Sequence, residues 1–143
     1  KLKVAKQLPN DVDFCCMLSE KEAVFTNFYE AELYVMSYPS LKTLKKHHFS
    51  EDWGAVAQPF KGDKILITDM YCNRHYIFDV STLTVEDEII FKGFEPYKDE
   101  VEEFLVSDID ELHYHNGQLI ASYMEVDSER NAIYHWLISK LEY

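Results

Sequence analysis

The sequence is poor in glycine, proline and cysteine. Its 143 residues include four Gly, four Pro and three Cys. Cys15 and Cys16 are adjacent and point to opposite faces of any strand, and Cys72 is the only other thiol, so no disulfide framework follows. The missing CxxC pair argues against a zinc knuckle. Cys15 and Cys16 lie in an apolar run, and we expect them to be buried, inert thiols.

Positive charge is also scarce. Fourteen Lys and Arg stand against 26 Asp and Glu, which gives a formal charge of −12. This field repels a phosphate backbone, so we predict that nucleic acid is not a partner. The charge predicts a solubilising acidic surface or, as the alternative, a cationic partner or a metal ion. No apolar run approaches the length of a membrane span, and a start at Lys1 predicts a processed, trimmed or excerpted chain.

Motifs that identify common enzyme classes are missing. The sequence contains no GxSxG, HExxH, P-loop or GxGxxG pattern. The acidic residues between 99 and 111 lack the DxDxDG spacing of a compact calcium loop, and we expect them to form a solvated face. We therefore lean against an enzyme and assign no catalytic residue and no cofactor, although a divalent metal belongs to one alternative below.

Aromatic residues, in contrast, are abundant. They make up 15% of the chain, with ten Tyr and nine Phe, within a hydrophobic content of 47%. Aromatic and β-branched enrichment favours strands, and the length is that of one ordinary domain. The predicted strands of the first two units are Phe14 to Leu18, Ala23 to Phe28, Leu33 to Tyr38, Leu41 to Phe49, Ala55 to Phe60, Lys64 to Met70, His75 to Val80 and Thr84 to Phe91.

These two units repeat each other. A shift of 42 positions places residues 23–27 on 65–69 and residues 33–36 on 75–78 without a gap. The hydrophobic pattern carries the match, since identities are few. They are Thr26/Thr68, Tyr29/Tyr71, Tyr34/Tyr76, Leu41/Leu83 and Phe49/Phe91. Short connections predict that each unit is a four-stranded antiparallel meander.

A third, shorter unit follows an acidic segment. Residues 112–115 and 118–124 are predicted strands joined by an Asn116-Gly117 hairpin turn. NAIYHWLIS (131–139) aligns with NRHYIFDVS (73–81) at an offset of 58. The acidic stretch before this unit predicts a short amphipathic helix after Pro96. The expected organisation is a single partial domain, with unit 1 at about 9–50, unit 2 at about 51–92, an acidic insertion at 92–108, an incomplete unit 3 at about 109–143, and a candidate latch strand at 1–8.

Four antiparallel strands recurring at this period are the signature of β-propeller blades. The segment TDMYCNRHYIFDVSTL resembles the second and third strands of TolB-like six-bladed propellers, through Asp69, Asn73, Arg74 and the pair Phe78-Asp79. The motif is clear only in the second unit. The resemblance implies an exported bacterial protein, periplasmic or at the cell surface, whose compartment is otherwise unknown.

The number of blades is too small for a closed ring, which takes about four to eight. A fan of three blades is expected to expose apolar side chains on two sheet faces. We therefore predict that the chain is about half of a six-bladed propeller or that two copies close a ring head to tail. In both cases the strand Leu2 to Leu8 is expected to complete the last blade.

Histidines provide the weak candidates for a metal site. His113 and His115 flank Tyr114 and project from one face of a strand, near Asp108 and Asp110. No third ligand is fixed by spacing, so we expect surface or channel-lining side chains. His75 and His135 are expected to be packing residues with one polar tip, and only one member of the His47-His48 pair is expected to be exposed.

Loops provide the candidate binding site. In a propeller, the loops entering first strands share a rim with the turns between second and third strands. Aromatic and arginine side chains clustered on a rim are typical of recognition surfaces. The predicted ligand-binding residues are Trp53, Tyr71, Arg74, Phe94, Tyr97 and Lys98.

The preferred function is a non-enzymatic ligand- or protein-binding scaffold. The alternatives are a propeller hydrolase or lyase that uses channel His and acidic residues with a divalent metal, and an acidic immunity-like inhibitor of a basic toxin.

Overall fold

Three antiparallel sheets make up the described part of the chain. The computed structural model describes residues 12–27, 30–49, 55–69, 74–92 and 109–141, and every regular element within these ranges is a strand. Blade 1 comprises β1 (Phe14–Met17), β2 (Glu22–Asn27), β3 (Glu32–Ser37) and β4 (Thr43–His48). Blade 2 comprises β5 (Ala55–Lys61), β6 (Lys64–Asp69), β7 (Arg74–Asp79) and β8 (Thr84–Ile89). Blade 3 comprises β9 (Ile109–His115), β10 (Gln118–Val126) and β11 (Ala132–Lys140).

The predicted meanders of the first two units are confirmed. Strands follow one another in sheet order as β1-β2-β3-β4 and β5-β6-β7-β8, and all neighbours are antiparallel. The predicted hairpin at Asn116-Gly117 joins β9 to β10 with φ angles of 48° and 80°. Positive φ at both central residues is what a type I′ turn requires.

Blades 1 and 2 share their register. The pair Val24↔Val35 in blade 1 becomes Leu66↔Ile77 in blade 2 under the 42-residue shift, and every other pair between second and third strands shifts in the same way. The register irregularity between third and fourth strands also recurs, after Val35 and after Ile77. Leu41 and Leu83, which are equivalent, both have positive φ, at 54° and 59°. The repeat is therefore one of backbone geometry as well as of sequence pattern.

Blades 1 and 2 pack face to face. Val24 and Val35 point toward blade 2, where Ile65, Ile67 and Phe78 join them in one apolar cluster whose members are all 8% exposed or less. β5 contacts β1 and β2 on one side and β9 on the other, so the first strands of the blades meet. This is the arrangement of inner strands in a propeller.

Blades 2 and 3 repeat this contact. The residues next to those that face blade 1 point the other way. They are Leu66 and Ile77, which share an apolar cluster with Leu112, Leu119 and Ala121 of blade 3. Alternation along a strand explains how neighbouring residues serve opposite interfaces. β6 and β7 of blade 2 are therefore apolar on both faces, which is why their sequences are nearly continuous hydrophobic runs.

A lysine ties blade 1 to blade 2. Lys45 on β4 donates from Nζ to the carbonyl oxygens of Val80 and Ser81, at 3.2 and 2.9 Å. These carbonyls belong to the turn between β7 and β8. The outer strand of one blade is thus hydrogen-bonded to a turn of the next.

The outer face of blade 1 is covered, contrary to the expectation that a three-bladed fan leaves two open faces. Ala23, Phe25, Tyr34 and Met36 on this face are between 1% and 8% exposed. They cluster with the partly buried side chains of Val12 and Leu41. Of the two terminal faces, that of blade 1 is therefore buried and that of blade 3 carries exposed apolar side chains.

An ion pair lies beside this covered face. Glu32 accepts hydrogen bonds from the hydroxyl of Tyr34 and from Lys46, whose Nζ lies 2.6 Å from its Oε1. Lys46 also lies over the Tyr34 ring, 5.2 Å from the centroid. The hydrogen bond from Lys46, followed by that from Tyr34, holds the pKa of the Glu32 carboxyl below its usual value.

One prediction about the thiols is wrong. Cys16 is buried, and burial raises the pKa of its thiol to about 11, but Cys15 is exposed. β1 has apolar packing on one face only, so the alternation that buries Cys16 directs Cys15 outward. The predicted latch strand at 1–8 and the predicted acidic helix after Pro96 lie outside the described residues.

Candidate interaction surface

The candidate surface is the outward side of β10 and β11, here called the open face. It is formed by cross-strand pairs that project to the same side, since directly opposed residues of antiparallel strands share a face. Its apolar members are Ile120 opposite Ile138, Met124 opposite Tyr134, and Trp136, which lies opposite Ser122.

The side chains on β11 are exposed. Tyr134 is 66% exposed, Trp136 61% and Ile138 68%, whereas Ile120 and Met124 on the neighbouring strand are half-buried. Leu119 and Ala121 on the other side of β10 are 2% and 0% exposed, because that side packs on blade 2. Blade 3 therefore has two apolar sides, of which one is covered.

The register identifies the open face with the interfaces of the other blades. Counted from the hairpin between first and second strands, Ile120↔Ile138 occupies the position of Leu66↔Ile77 in blade 2. In blade 1 the same position is held by Val24↔Val35. Those four residues are 2% exposed or less, each buried by the following blade. The open face is the equivalent contact with no described blade against it.

The next row of the sheet supports this equivalence. Two residues further along the second strand, each blade carries a buried hydroxyl group. These residues are Thr26 in blade 1, Thr68 in blade 2 and Ser122 in blade 3. The residues opposite them on third strands are Leu33, His75 and Trp136. Leu33 and His75 are 0% and 1% exposed, whereas Trp136 is exposed.

The sequence alignment missed this surface because its offset of 58 was wrong. That offset equates Trp136 with Phe78, a core residue, but the observed register equates Trp136 with His75. The difference is three residues, and an odd slip exchanges the two faces of a strand. The cause is a longer β10–β11 hairpin, in which Asp127 accepts hydrogen bonds from the backbone N–H groups of Glu129 and Asn131.

The predicted histidine pair borders the open face. His113 lies opposite Ile120 and His115 opposite Gln118, so both project from one side of β9, as predicted, and both are exposed. His113 Nε2 lies 3.4 Å from Glu111 Oε2, and His115 Nε2 lies 3.0 Å from the side-chain nitrogen of Asn116. Within the ranges that the structure describes, no three His, Cys, Asp or Glu side chains are grouped to hold a metal ion.

Of the six predicted loop residues, the structure describes one. Arg74 begins β7, is exposed, and places Nη1 3.4 Å from the hydroxyl of Tyr76. The other five lie outside the described residues. They are Trp53, Tyr71, Phe94, Tyr97 and Lys98.

The remaining histidines pack as predicted. His75 is buried, with Nδ1 3.2 Å from Thr68 Oγ1 and its ring edge-on to Phe91 at 5.5 Å. Burial lowers the pKa of His75 to about 4. His135 stacks on Tyr123 at 4.8 Å. His47, unlike the exposed His48, is half-buried.

The described segments contain no helix that is long and apolar enough to span a membrane.

Comparison with known proteins identifies the fold but no family. Neither a protein-family profile nor a curated protein matches the sequence. The fold is similar to that of Hsv2 of Kluyveromyces lactis, a β-propeller protein. A form of Hsv2 with loop 6CD replaced by a Gly-Ser linker matches 88% of this chain, with a TM-score of 0.52 and 9% sequence identity. The chain spans 39% of the length of that protein. A further Hsv2 structure from the same organism matches 86% of this chain at 6% identity, with a TM-score of 0.45.

The chain therefore has an all-β fold built of β-propeller blades, as predicted. Its relation to TolB-like propellers in particular stays a prediction, as does the number of blades in the parent ring.

Proposed function

We propose that this chain is a non-enzymatic protein-binding and scaffold module of the β-propeller class. The observation that carries the proposal is the open face, where Tyr134, Trp136 and Ile138 are each more than 60% exposed on one strand. Trp and Tyr are enriched at the centres of protein interfaces, and a contiguous apolar patch in water marks a contact site.

The titratable groups support binding rather than catalysis. His75 is buried and neutral near pH 7, beyond reach of a substrate. His113 and Glu111 are exposed, and their 3.4 Å separation is too long for a well-formed hydrogen bond between a base and its orienting group. A propeller hydrolase or lyase remains the alternative, and stoichiometric zinc or calcium in the purified protein would favour it.

The loop rim is proposed as a second contact region. It would combine Trp53, Tyr71, Arg74, Phe94, Tyr97 and Lys98, of which Arg74 supports the idea through its exposure. We further propose, on the TolB-like resemblance alone, a six-bladed parent and an exported location. The formal charge of −12 supports a basic partner, as the inhibitor alternative requires.

Site-specific photo-crosslinking tests the proposed function. A photoreactive side chain at Ile138 is compared with one at Val85, which is also an exposed apolar residue but lies on β8, away from the open face. In an extract of the organism that encodes the chain, we expect one discrete protein adduct from position 138 and none from position 85. The substitution Trp136→Lys should abolish the adduct.

Adducts of equal yield from both positions, or none from position 138, would contradict the proposal. Loss of binding with rising salt, with no effect of Trp136→Lys, would favour the acidic inhibitor instead.

A further inference from the structure

The open face has the chemistry of one specific kind of partner. Blade 1 presents Val24 and Val35 to blade 2, and blade 2 presents Leu66 and Ile77 to blade 3. Blade 3 presents Ile120 and Ile138 at the same register. The partner of each of the first two pairs is a sheet of the same repeat.

The receiving surfaces define that partner more closely. Blade 2 meets blade 1 with Ile65, Ile67 and Phe78, all 1% exposed or less. Blade 3 meets blade 2 with Leu119 and Ala121 at the positions of Ile65 and Ile67. A partner for the open face is accordingly an antiparallel sheet with small or aliphatic side chains at alternate positions of its second strand.

A second copy of this chain does not supply such a surface within the described residues. Its corresponding face, on blade 1, carries Ala23, Phe25, Tyr34 and Met36, and these side chains are already buried. Head-to-tail closure by two copies would first have to uncover them. Each copy also carries a formal charge of −12, which opposes self-association.

We propose, on the basis of the protein-binding function proposed above, that the open face is a blade-to-blade interface whose occupant is a further four-stranded propeller blade from outside residues 1–143. The blade covers Trp136 as blade 2 covers Leu33, and it brings Trp136 to the low exposure of the equivalent His75, which is 1% exposed. The row Glu111, Ser122 and Trp136 then lies at the interface, with the tryptophan filling the volume that a leucine or histidine fills elsewhere.

Extension of the intact chain tests this proposal. A copy of residues 51–92, which contains blade 2, is appended after Tyr143, and hydroxyl-radical footprinting measures the labelling rate of Trp136. We expect this rate to fall roughly tenfold in the extended protein, because packed interfaces exclude water and the equivalents of Trp136 are at most 1% exposed. The matched control carries Ile65→Asp and Ile67→Asp in the appended copy only and should keep the rate of the parent chain.

A second extension guards against a copy that does not fold. It appends a copy of residues 109–143 that carries Trp136→Phe, because blade 3 receives blade 2 through Leu119 and Ala121, and a drop in the labelling rate of the original Trp136 with either extension supports the proposal. The same rate in both extended proteins as in the parent chain overturns it.

Light scattering of the parent chain supplies the second readout. A monomer with Trp136 labelled at the same rate at all concentrations supports the proposal. A dimer in which Trp136 is protected and which Trp136→Lys dissociates overturns it, since the occupant is then a second copy. A crosslink from position 138 to another protein, without protection by either extension, would leave the proposed function standing and remove this inference.

Discussion

The hydroxyl of Thr68 and the imidazole of His75 face each other across β6 and β7, with Oγ1 and Nδ1 3.2 Å apart. The other ring nitrogen, Nε2, is buried and has no hydrogen-bond partner among the described residues. The equivalent pair in blade 1 is Thr26 and Leu33. Blade 2 thus places a titratable ring where blade 1 places a hydrocarbon.

This difference predicts a specific pH dependence of stability. The unfolded chain binds a proton at His75 near pH 6.5 and the folded protein only near pH 4, so the contribution of His75 is complete above about pH 6.5 and is lost as the pH falls toward 4. The loss is roughly 3 kcal/mol. Urea unfolding at several pH values should show that His75→Leu removes this part of the pH dependence and that His48→Leu, at an exposed histidine, does not. Identical pH profiles for His75→Leu and the parent chain would contradict the assignment.

Two equivalent isoleucines should differ in their contribution to stability. Ile77 is 1% exposed between blades 2 and 3, and Ile138 is 68% exposed on the open face. Ile77→Ala removes buried methyl groups and should cost about 3 kcal/mol of unfolding free energy. Ile138→Ala should change it by less than about 0.5 kcal/mol. Denaturant midpoints measure both, and similar losses for the two variants would show that Ile138 is covered in solution.

The two adjacent thiols should differ in reactivity. Cys15 is exposed, while Cys16 is buried and has a pKa of about 11. At pH 8 only about one Cys16 in a thousand is a thiolate. Alkylation of the native protein followed by peptide mass mapping should label Cys15 first, and labelling in urea should reach both. Equal native rates would place Cys16 outside the core.

A turn residue offers a stabilising substitution. Arg130, in the β10–β11 hairpin, has a φ of 65° and is exposed. This conformation is strained for a residue with a Cβ, so Arg130→Gly should stabilise the protein by roughly 0.5 to 1 kcal/mol. Ser128→Gly in the same turn is the control, because Ser128 is not at positive φ. A calorimetric transition that rises for both variants alike would reject the backbone explanation.

The ion pair of blade 1 should control the titration of one carboxyl. Lys46→Met removes the first cause of the lowered pKa of Glu32, so that pKa should move up toward its ordinary value while the Tyr34 hydrogen bond keeps part of the shift. Carboxyl NMR titration measures this change. Lys42→Met, at an exposed lysine without a contact to Glu32, is the control and should leave the titration of Glu32 unaltered.

The sequence was sufficient to predict the first two blades because both connect their second and third strands by four residues, 28–31 in blade 1 and 70–73 in blade 2. A gapless shift then keeps alternation in phase, and the observed pairs Val24↔Val35 and Leu66↔Ile77 follow directly from it. Leu41 and Leu83 even share the left-handed conformation. Where connections are conserved in length, pattern alone determines which side chain faces which blade.

The third blade could not be predicted to the same degree because its hairpin is longer. NAIYHWLIS is apolar at so many positions that neither face stands out, and the alignment at an offset of 58 paired Trp136 with Phe78, which the structure shows to be a core residue. The run Tyr134, Trp136 and Ile138, at every second residue, was the signal that could have revealed a second apolar face. The prediction that Cys15 is buried was wrong for a related reason, since an apolar neighbourhood in sequence does not show which side of a strand is packed.

Lys45 also bears on how the blades come apart. Asp87 holds the position of Lys45 in blade 2, and its side chain has no ammonium group to donate to two carbonyl oxygens as Lys45 does. The tie between the first two blades is therefore not repeated by the same residue at the second junction. We therefore expect blades 1 and 2 to open as one unit and blade 3 as another. A partner bound to the open face would stabilise blade 3 and make the three blades unfold together.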